Sequence, residues 1–248
     1  APSMNSLGLM LQTGRGGAQD LDAARRWLER SANTGNTAGI SLLGIAYLNG
    51  TGVPIDVVRA RELFEQAANA GNTVAMFNLG LIHQQARGVP QDYVKAREWF
   101  EKAAAAGDGL AMHQLGWHYQ TGLGTARNFA TARDWYTRGA SHGNAASMAQ
   151  LGQLYEQGLG VTADLAKARE WYERAAAGGN GAAMAQLGQL FARGRGVTRD
   201  EAKAREWFEK SAAAGHQNGA FLLAQQLDRG RGGATDFPRA AQLLLRAA

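Results

Sequence analysis

The chain has 248 residues, 26 Lys/Arg against 21 Asp/Glu, a formal net charge of +5, no cysteine, 33 glycines and four prolines. The absence of cysteine excludes disulfides and thiolate metal sites, and no run of eighteen apolar residues is present to cross a membrane as a helix. Residues 191–248 hold ten Lys/Arg against six Asp/Glu, so +4 of the +5 lies there, which fits a solvated face, an acidic partner or a nucleic acid. The chain opens Ala1-Pro2-Ser3 without Met, as expected after removal of a leader or after trimming, and a bacterial periplasmic or secreted location is expected, with the cytoplasm the alternative.

Taken in order, the elements repeat. Leu7-Gly8, Leu43-Gly44, Leu79-Gly80, Leu115-Gly116, Leu151-Gly152, Leu187-Gly188 and Leu223-Ala224 are spaced by 36 residues each time. The same period aligns Trp27, Leu63, Trp99, Trp135, Trp171, Trp207 and Leu243, and it aligns Asp20, Asp56, Asp92, Asn128, Asp164, Asp200 and Asp236. Seven units follow, at approximately 1–36, 37–72, 73–108, 109–144, 145–180, 181–216 and 217–248. Each unit reads as two helices. In the third, helix A covers roughly Thr73 to Gln85 and buries a stripe of Ala75, Met76, Leu79, Gly80 and His83. The loop Ala86–Pro90 ends it, with Gly88 taking the positive φ. Asp92 caps helix B, which carries Ala96, Trp99, Phe100, Ala103 and Ala104 inward; Gly107-Asp108 stops helix B, and Asp108 caps the next helix A. The glycines are therefore helix punctuation and close helix contact at Leu-Gly. Gly158-Leu159-Gly160 and Gly194-Arg195-Gly196 follow helices rather than strands, which argues against a dinucleotide loop.

A pair of helices this short cannot bury its apolar face alone, whereas stacked copies can, so the fold class is an all-α solenoid. The stretches Ala111-Met112-His113-Gln114-Leu115-Gly116-Trp117-His118-Tyr119-Gln120-Thr121-Gly122 and Ala168-Arg169-Glu170-Trp171-Tyr172-Glu173-Arg174-Ala175-Ala176, recurring in each unit, resemble the Sel1-like repeat, a relative of the tetratricopeptide repeat. The resemblance covers the whole chain. It implies a right-handed superhelix whose A helices line the concave surface. It also implies a function in binding other proteins, since members of the family are adaptors, receptors and inhibitors.

Catalytic chemistry finds little purchase. His83 shares its column with Tyr47, Tyr119, Tyr155 and Phe191, a packing position; His118 shares one with Ala46, Ile82, Leu154 and Leu190. His113 and His118 lie about 140° apart around a helix, which is poor geometry for one metal. No Gly-x-Ser-x-Gly occurs, none of the seven serines begins Ser-x-x-Lys, and paired carboxylates are missing from any shared wall. No enzyme activity, cofactor or metal is expected.

The outward face of helix A carries the variation. Leu81 lies roughly 170° from the centre of the buried stripe, and its column reads Leu9, Ile45, Leu81, Trp117, Gln153, Gln189, Gln225, apolar in four units and then glutamine in three. Four residues earlier the column reads Asn5, Ser41, Phe77, His113, Ala149, Ala185, Phe221. Adjacent A helices about 10 Å apart would gather Phe77, Leu81, His113 and Trp117 into one patch. Five of the six tryptophans occupy the helix-B packing column, and Trp117 does not. It is expected either to anchor a partner or to fold into a groove beside the next helix A.

The leading expectation is a protein–protein interaction scaffold whose partner lies in the concave groove. Phe77, Leu81, Gln84, His113, Trp117 and Gln120 would serve on one side, and Gln153, Glu156, Gln189 and Arg193 would form a polar rim. A bacterial immunity protein that blocks a secreted toxin is one concrete form, and an adaptor is another. The alternative is a cell-wall or carbohydrate binder stacking sugars on Trp117. Nucleic-acid binding is disfavoured because Asp200, Glu201 and Glu206 interrupt the basic C-terminal third.

Overall fold

In the computed structural model, which describes residues 2–247, the chain forms fourteen α-helices and no strand among the described residues. They run as pairs: α1 Pro2–Thr13 and α2 Leu21–Asn33, α3 Thr37–Asn49 and α4 Val57–Asn69, α5 Thr73–Gln84 and α6 Tyr93–Ala105, α7 Gly109–Thr121 and α8 Phe129–Ser141. The series continues with α9 Ala145–Gln157 and α10 Leu165–Ala177, α11 Gly181–Arg193 and α12 Glu201–Ala213, α13 Gln217–Arg229 and α14 Phe237–Ala247. Odd-numbered helices are helix A of each repeat and even-numbered ones helix B. Ala1 and Ala248, the ends of the expected array, lie outside the described residues.

The helix boundaries follow from capping chemistry. The first amides of a helix have no partner within it, and a short polar side chain in extended backbone satisfies them. Asp92 accepts from the Lys95 amide at 2.9 Å, and Asp20, Asp56, Asn128, Asp164 and Asp200 do the same for their helices B. Asn36, Asn72, Asp108, Asn144 and Asn180 cap helices A, and in the last repeat His216 Nδ1 takes that place, accepting from the Gly219 amide at 3.1 Å.

The helices gather into two compact units. The first runs to His118 and includes Gly122–Ala126; the second holds Tyr119–Thr121 and the chain from Arg127 onward. In the first, Leu28, Leu63, Phe64, Leu79 and Ile82 form the core, with Trp99 packed at its edge. In the second, Tyr136 with Leu151 and Leu154, Tyr172 with Leu187 and Leu190, and Phe208 with Leu223 and Leu227 form successive clusters, so the core is strung along the repeats. The expected stripe of α5 is rotated slightly: Ala75, Leu79, Gly80 and Ile82 are buried, while Met76 and His83 are half-buried. Helix α5 packs on α4 as well as on α6, and contact on two sides widens the arc it buries.

One loop departs from its sisters. Gly50, Gly122, Gly158, Gly194 and Gly230 end their A helices in the left-handed conformation, but the third repeat has Ala86 there, at φ 56°. Ala86 is the one non-glycine residue with positive φ among the described residues, and α5 is a residue shorter than α3. The left-handed conformation costs an L-residue about 1–2 kcal/mol, of which glycine's greater freedom in the unfolded chain returns up to about 1 kcal/mol. Ala86→Gly is therefore expected to raise stability by about 0.5–1 kcal/mol. Urea denaturation of the two proteins side by side measures this, and a destabilised variant would contradict it.

Candidate functional site

In the first unit the expected apolar residues are linked through rings that the sequence had assigned to packing. Phe77 lies against Phe100 with ring centroids 5.6 Å apart, Phe100 meets the edge of His118 at 5.6 Å, and Trp117 meets His118 at 5.5 Å. Tyr93 completes the surround of the imidazole at 5.9 Å. His118 has no exposed surface at all and, like Ala46, Ile82, Leu154 and Leu190 in its column, belongs to the core. Its Nε2–H donates to Gln84 Oε1 at 2.9 Å, since a carboxamide oxygen can only accept. Phe77, Leu81, His113 and Trp117 are all half-buried. Trp117 therefore lies against His118 of its own helix and stays half-buried.

The column holding Phe77 is less outward than its angle implies. Asn5, Ser41 and Ala185 in that column are buried, Ala149 is half-buried, and only Phe221 is exposed. The cause is contact between neighbouring A helices, seen in the pairs α1 with α3, α9 with α11 and α11 with α13. A single-stripe picture of the helix leaves out that second contact arc.

Gln84, Gln120 and Glu156, expected at the partner surface, use side-chain polar groups inside the fold. Gln84 holds His118. Gln120 Oε1 accepts from the Tyr136 hydroxyl at 2.8 Å. Glu156 Oε2 accepts from the Tyr172 hydroxyl at 2.7 Å, while Oε1 takes a charged hydrogen bond from Arg195 at 2.6 Å. Only 13% of the Glu156 side chain is exposed. Burial raises the pKa of both phenols, and the neighbouring Glu156 carboxylate raises that of Tyr172 further, so both stay protonated donors. These pairs follow a rule. The large buried residue of helix B reads Phe64, Phe100, Tyr136, Tyr172, Phe208. Sixteen residues before each stand Leu48, Gln84, Gln120, Glu156 and Ala192. Each tyrosine finds an acceptor there because a buried hydroxyl left unpaired is costly. That co-variation was visible in the chain and was missed by comparing helix A only with helix A.

In the second unit Gln153 and Gln189 are half-buried and Arg193 is exposed. Near them, α11 to α13 and their loops enclose a cavity of about 160 Å³ that includes Gln189 and Arg193 in its walls. Among the described residues, no group of three His, Asp, Glu or Cys is placed to hold a metal ion, and no helix is long and apolar enough to cross a membrane.

Burial pushes the His118 imidazole down to about 4, the Leu123 backbone opposes this, and Arg97 adds to the fall. Between pH 6.5 and 4 the unfolded chain therefore binds a proton that the folded chain refuses, so stability falls as pH falls through that window. The expected contribution is about 3 kcal/mol lost on reaching pH 4. His118→Leu, the residue found at Leu154 and Leu190 in sister repeats, is expected to flatten the stability profile between pH 6.5 and 4. It should also lose about 1 kcal/mol at neutral pH for the stranded Gln84 acceptor. Denaturation of both proteins across that range tests this, and parallel profiles would refute it.

The geometry agrees with known structures. The chain is similar to c5321, a protective antigen of uropathogenic Escherichia coli strains displaying an SLR fold, at 33% identity and a TM-score of 0.77. That match covers 99% of this chain and 53% of the other, so the chain spans about half the length of c5321. It is also similar to a Sel1 repeat protein from Oxalobacter formigenes, at 28% identity and a TM-score of 0.86 over 99% of this chain and 96% of that one. Immunity protein Pa5087 from Pseudomonas aeruginosa shares the fold at 19% identity and a TM-score of 0.57, over 86% of this chain and 82% of its own. No curated protein matches the chain. The Sel1 repeat family matches residues 1–36, 38–72, 73–108, 109–144, 145–180, 181–216 and 218–248, and the chain belongs to that family.

Proposed function

We propose that the chain is a non-enzymatic scaffold that binds a partner protein, and that the helix-A face of the first unit carries an anchor made by Phe77, Leu81, His113 and Trp117. The observation that supports this most is the column Leu9, Ile45, Leu81, Trp117, in which large apolar side chains remain half-buried or exposed. At the equivalent places of the later repeats stand Gln153, Gln189 and Gln225. A partly exposed tryptophan fixed on one side by an aromatic neighbour loses little side-chain freedom on docking, which is the property of an interface hot spot. His113 suits the same face, because burial lowers its pKa and leaves the imidazole neutral near pH 7.

The Gln84, Gln120 and Glu156 side chains serve the repeat's own packing in this reading, and Gln153, Gln189 and Arg193 supply a separate polar surface on the second unit. An inhibitor of a secreted toxin is the concrete form we favour, in a bacterial envelope setting. The Pseudomonas immunity proteins share the fold with this chain at about one-fifth identity, and their likeness supports the architecture only.

The partner would be captured from the native host and its affinity measured by calorimetry. Trp117→Ala together with Leu81→Ala, with circular dichroism unchanged, is expected to weaken binding at least tenfold, or about 1.4 kcal/mol. A change under about 1 kcal/mol would remove this face from the interface.

A further inference from the structure

The second unit contains a cavity whose chemistry the scaffold reading does not use. Gln189 and Arg193 of α11, Arg199 of the following loop, Glu201 at the start of α12, Gln226 of α13 and Arg231 of the loop after it all line a space of about 160 Å³. Three guanidinium groups face one carboxylate. Glu201 is held by Arg199 at 2.5 Å, and that contact, with Gln226 and Arg231 adding to it, keeps the Glu201 carboxyl below its usual range. Arg193 and Arg231 make no salt bridge among the described residues, so the cavity keeps an excess of positive charge.

A second observation points to a ligand. Gln226 is only 6% exposed, in a column that is apolar and buried at Ile82, Leu154 and Leu190. Its Nε2 donates to Glu201 Oε2 at 3.4 Å, which fixes the orientation of the amide, and its Oε1 has no hydrogen-bond partner. A buried acceptor without a donor is uncommon in folded proteins. The cavity therefore has two guanidiniums, Arg193 and Arg231, without a carboxylate partner among the described residues, and in its wall a buried carbonyl oxygen without a donor.

We propose that this cavity takes an aspartate or glutamate of an acidic partner segment, with Arg193 and Arg231 on the carboxylate and Gln226 accepting a backbone N–H of the same segment. The inference rests on the chain being a protein-binding scaffold and adds a second, electrostatic surface to it. Arginine pairs with carboxylates through two parallel hydrogen bonds, and a peptide acid places amide N–H groups close to its carboxylate. A phosphodiester offers no donor for Gln226, and among the residues lining the cavity the one aromatic, Phe208, is buried at 2% exposure and unavailable to stack a base.

The test is a titration of the whole chain with acetylated, amidated hexaglutamate, followed by NMR at low and at physiological salt, with hexaglutamine as the neutral control. Saturable binding of hexaglutamate alone is expected. It should weaken at least tenfold in the Arg193→Ala, Arg231→Ala double variant and several-fold in Gln226→Leu, which copies the sister repeats. Glu201→Gln removes the one negative charge and is expected to tighten it. Equal binding by wild type and the double variant, or no saturation at millimolar peptide, would overturn the proposal. So would tighter binding of inorganic phosphate or of an oligothymidylate with the same arginine dependence, which would assign the cavity to phosphate. Partner capture that still depends on Trp117 while hexaglutamate fails to bind would remove the cavity and leave the scaffold standing; capture insensitive to Trp117 with hexaglutamate bound would remove the Trp117 anchor and leave the cavity.

Discussion

In the second, third, fifth and sixth repeats a helix-B ring is laid directly on a helix-A glycine. A Cβ added to Gly44 would stand 2.8 Å from the ring of Phe64, and Gly80, Gly152 and Gly188 would meet Phe100, Tyr172 and Phe208 at least as closely. Real Cβ contacts do not approach so near, so the helices can touch only where the side chain is missing. The contact covers the helix-A backbone with the ring and fixes where the ring points, since interiors packed at crystal density leave no room to slide. Glycine costs helix propensity, about 1 kcal/mol against alanine, and burial of a whole phenyl ring outweighs that cost.

Once the ring is fixed, so is the place where its para substituent emerges. A phenylalanine asks nothing more of helix A at that point, and Leu48 and Ala192 stand there. A tyrosine brings a hydroxyl into the same buried spot and makes one residue of helix A its acceptor. Gln120 and Glu156 are spent in that way. Gln84, opposite a phenylalanine, is free of that duty and instead holds the His118 imidazole, 34 residues on. Polar residues near the end of helix A are therefore recruited by packing before any partner arrives. On the proposed scaffold reading, recognition falls to the column one turn away, through Leu81, Trp117, Gln153 and Gln189, together with the loop arginines.

This order of recruitment explains what the sequence could and could not reveal. Repeat length, capping residues and the Leu-Gly contact were legible because each is local, or recurs at a fixed spacing, so that sister copies testify to it. The unusual backbone at Ala86 is legible in the chain, since all six sister repeats have glycine there. The side-chain pairs were harder. Tyr172 with Glu156 spans sixteen residues and Glu156 with Arg195 thirty-nine, distances at which helical angle says nothing. Helical angle also failed for Phe77: a helix with neighbours on both sides has two buried arcs, and the angle from one centre describes only the first. The separation of fold from surface therefore needed the three-dimensional contacts, whereas the fold itself did not.

Sister repeats also supply a reference state for polar residues in the core. The column of Ala46, Ile82, Leu154 and Leu190 shows what the site accepts at no polar cost, and two of its members break the pattern, His118 and Gln226. They break it differently. His118 is enclosed by Tyr93, Phe100 and Trp117, takes Gln84 as its acceptor, and lies too deep for any ligand to reach, so its polarity is closed within the fold. Gln226 has one half of its amide turned to Glu201 and the other turned to nothing, at a wall that opens between three arginines. An unpaired buried carbonyl costs about 1–3 kcal/mol, which the leucine of the neighbouring repeats would avoid. Packing thus accounts for the histidine, while the glutamine is accounted for by the proposed donor from a partner segment.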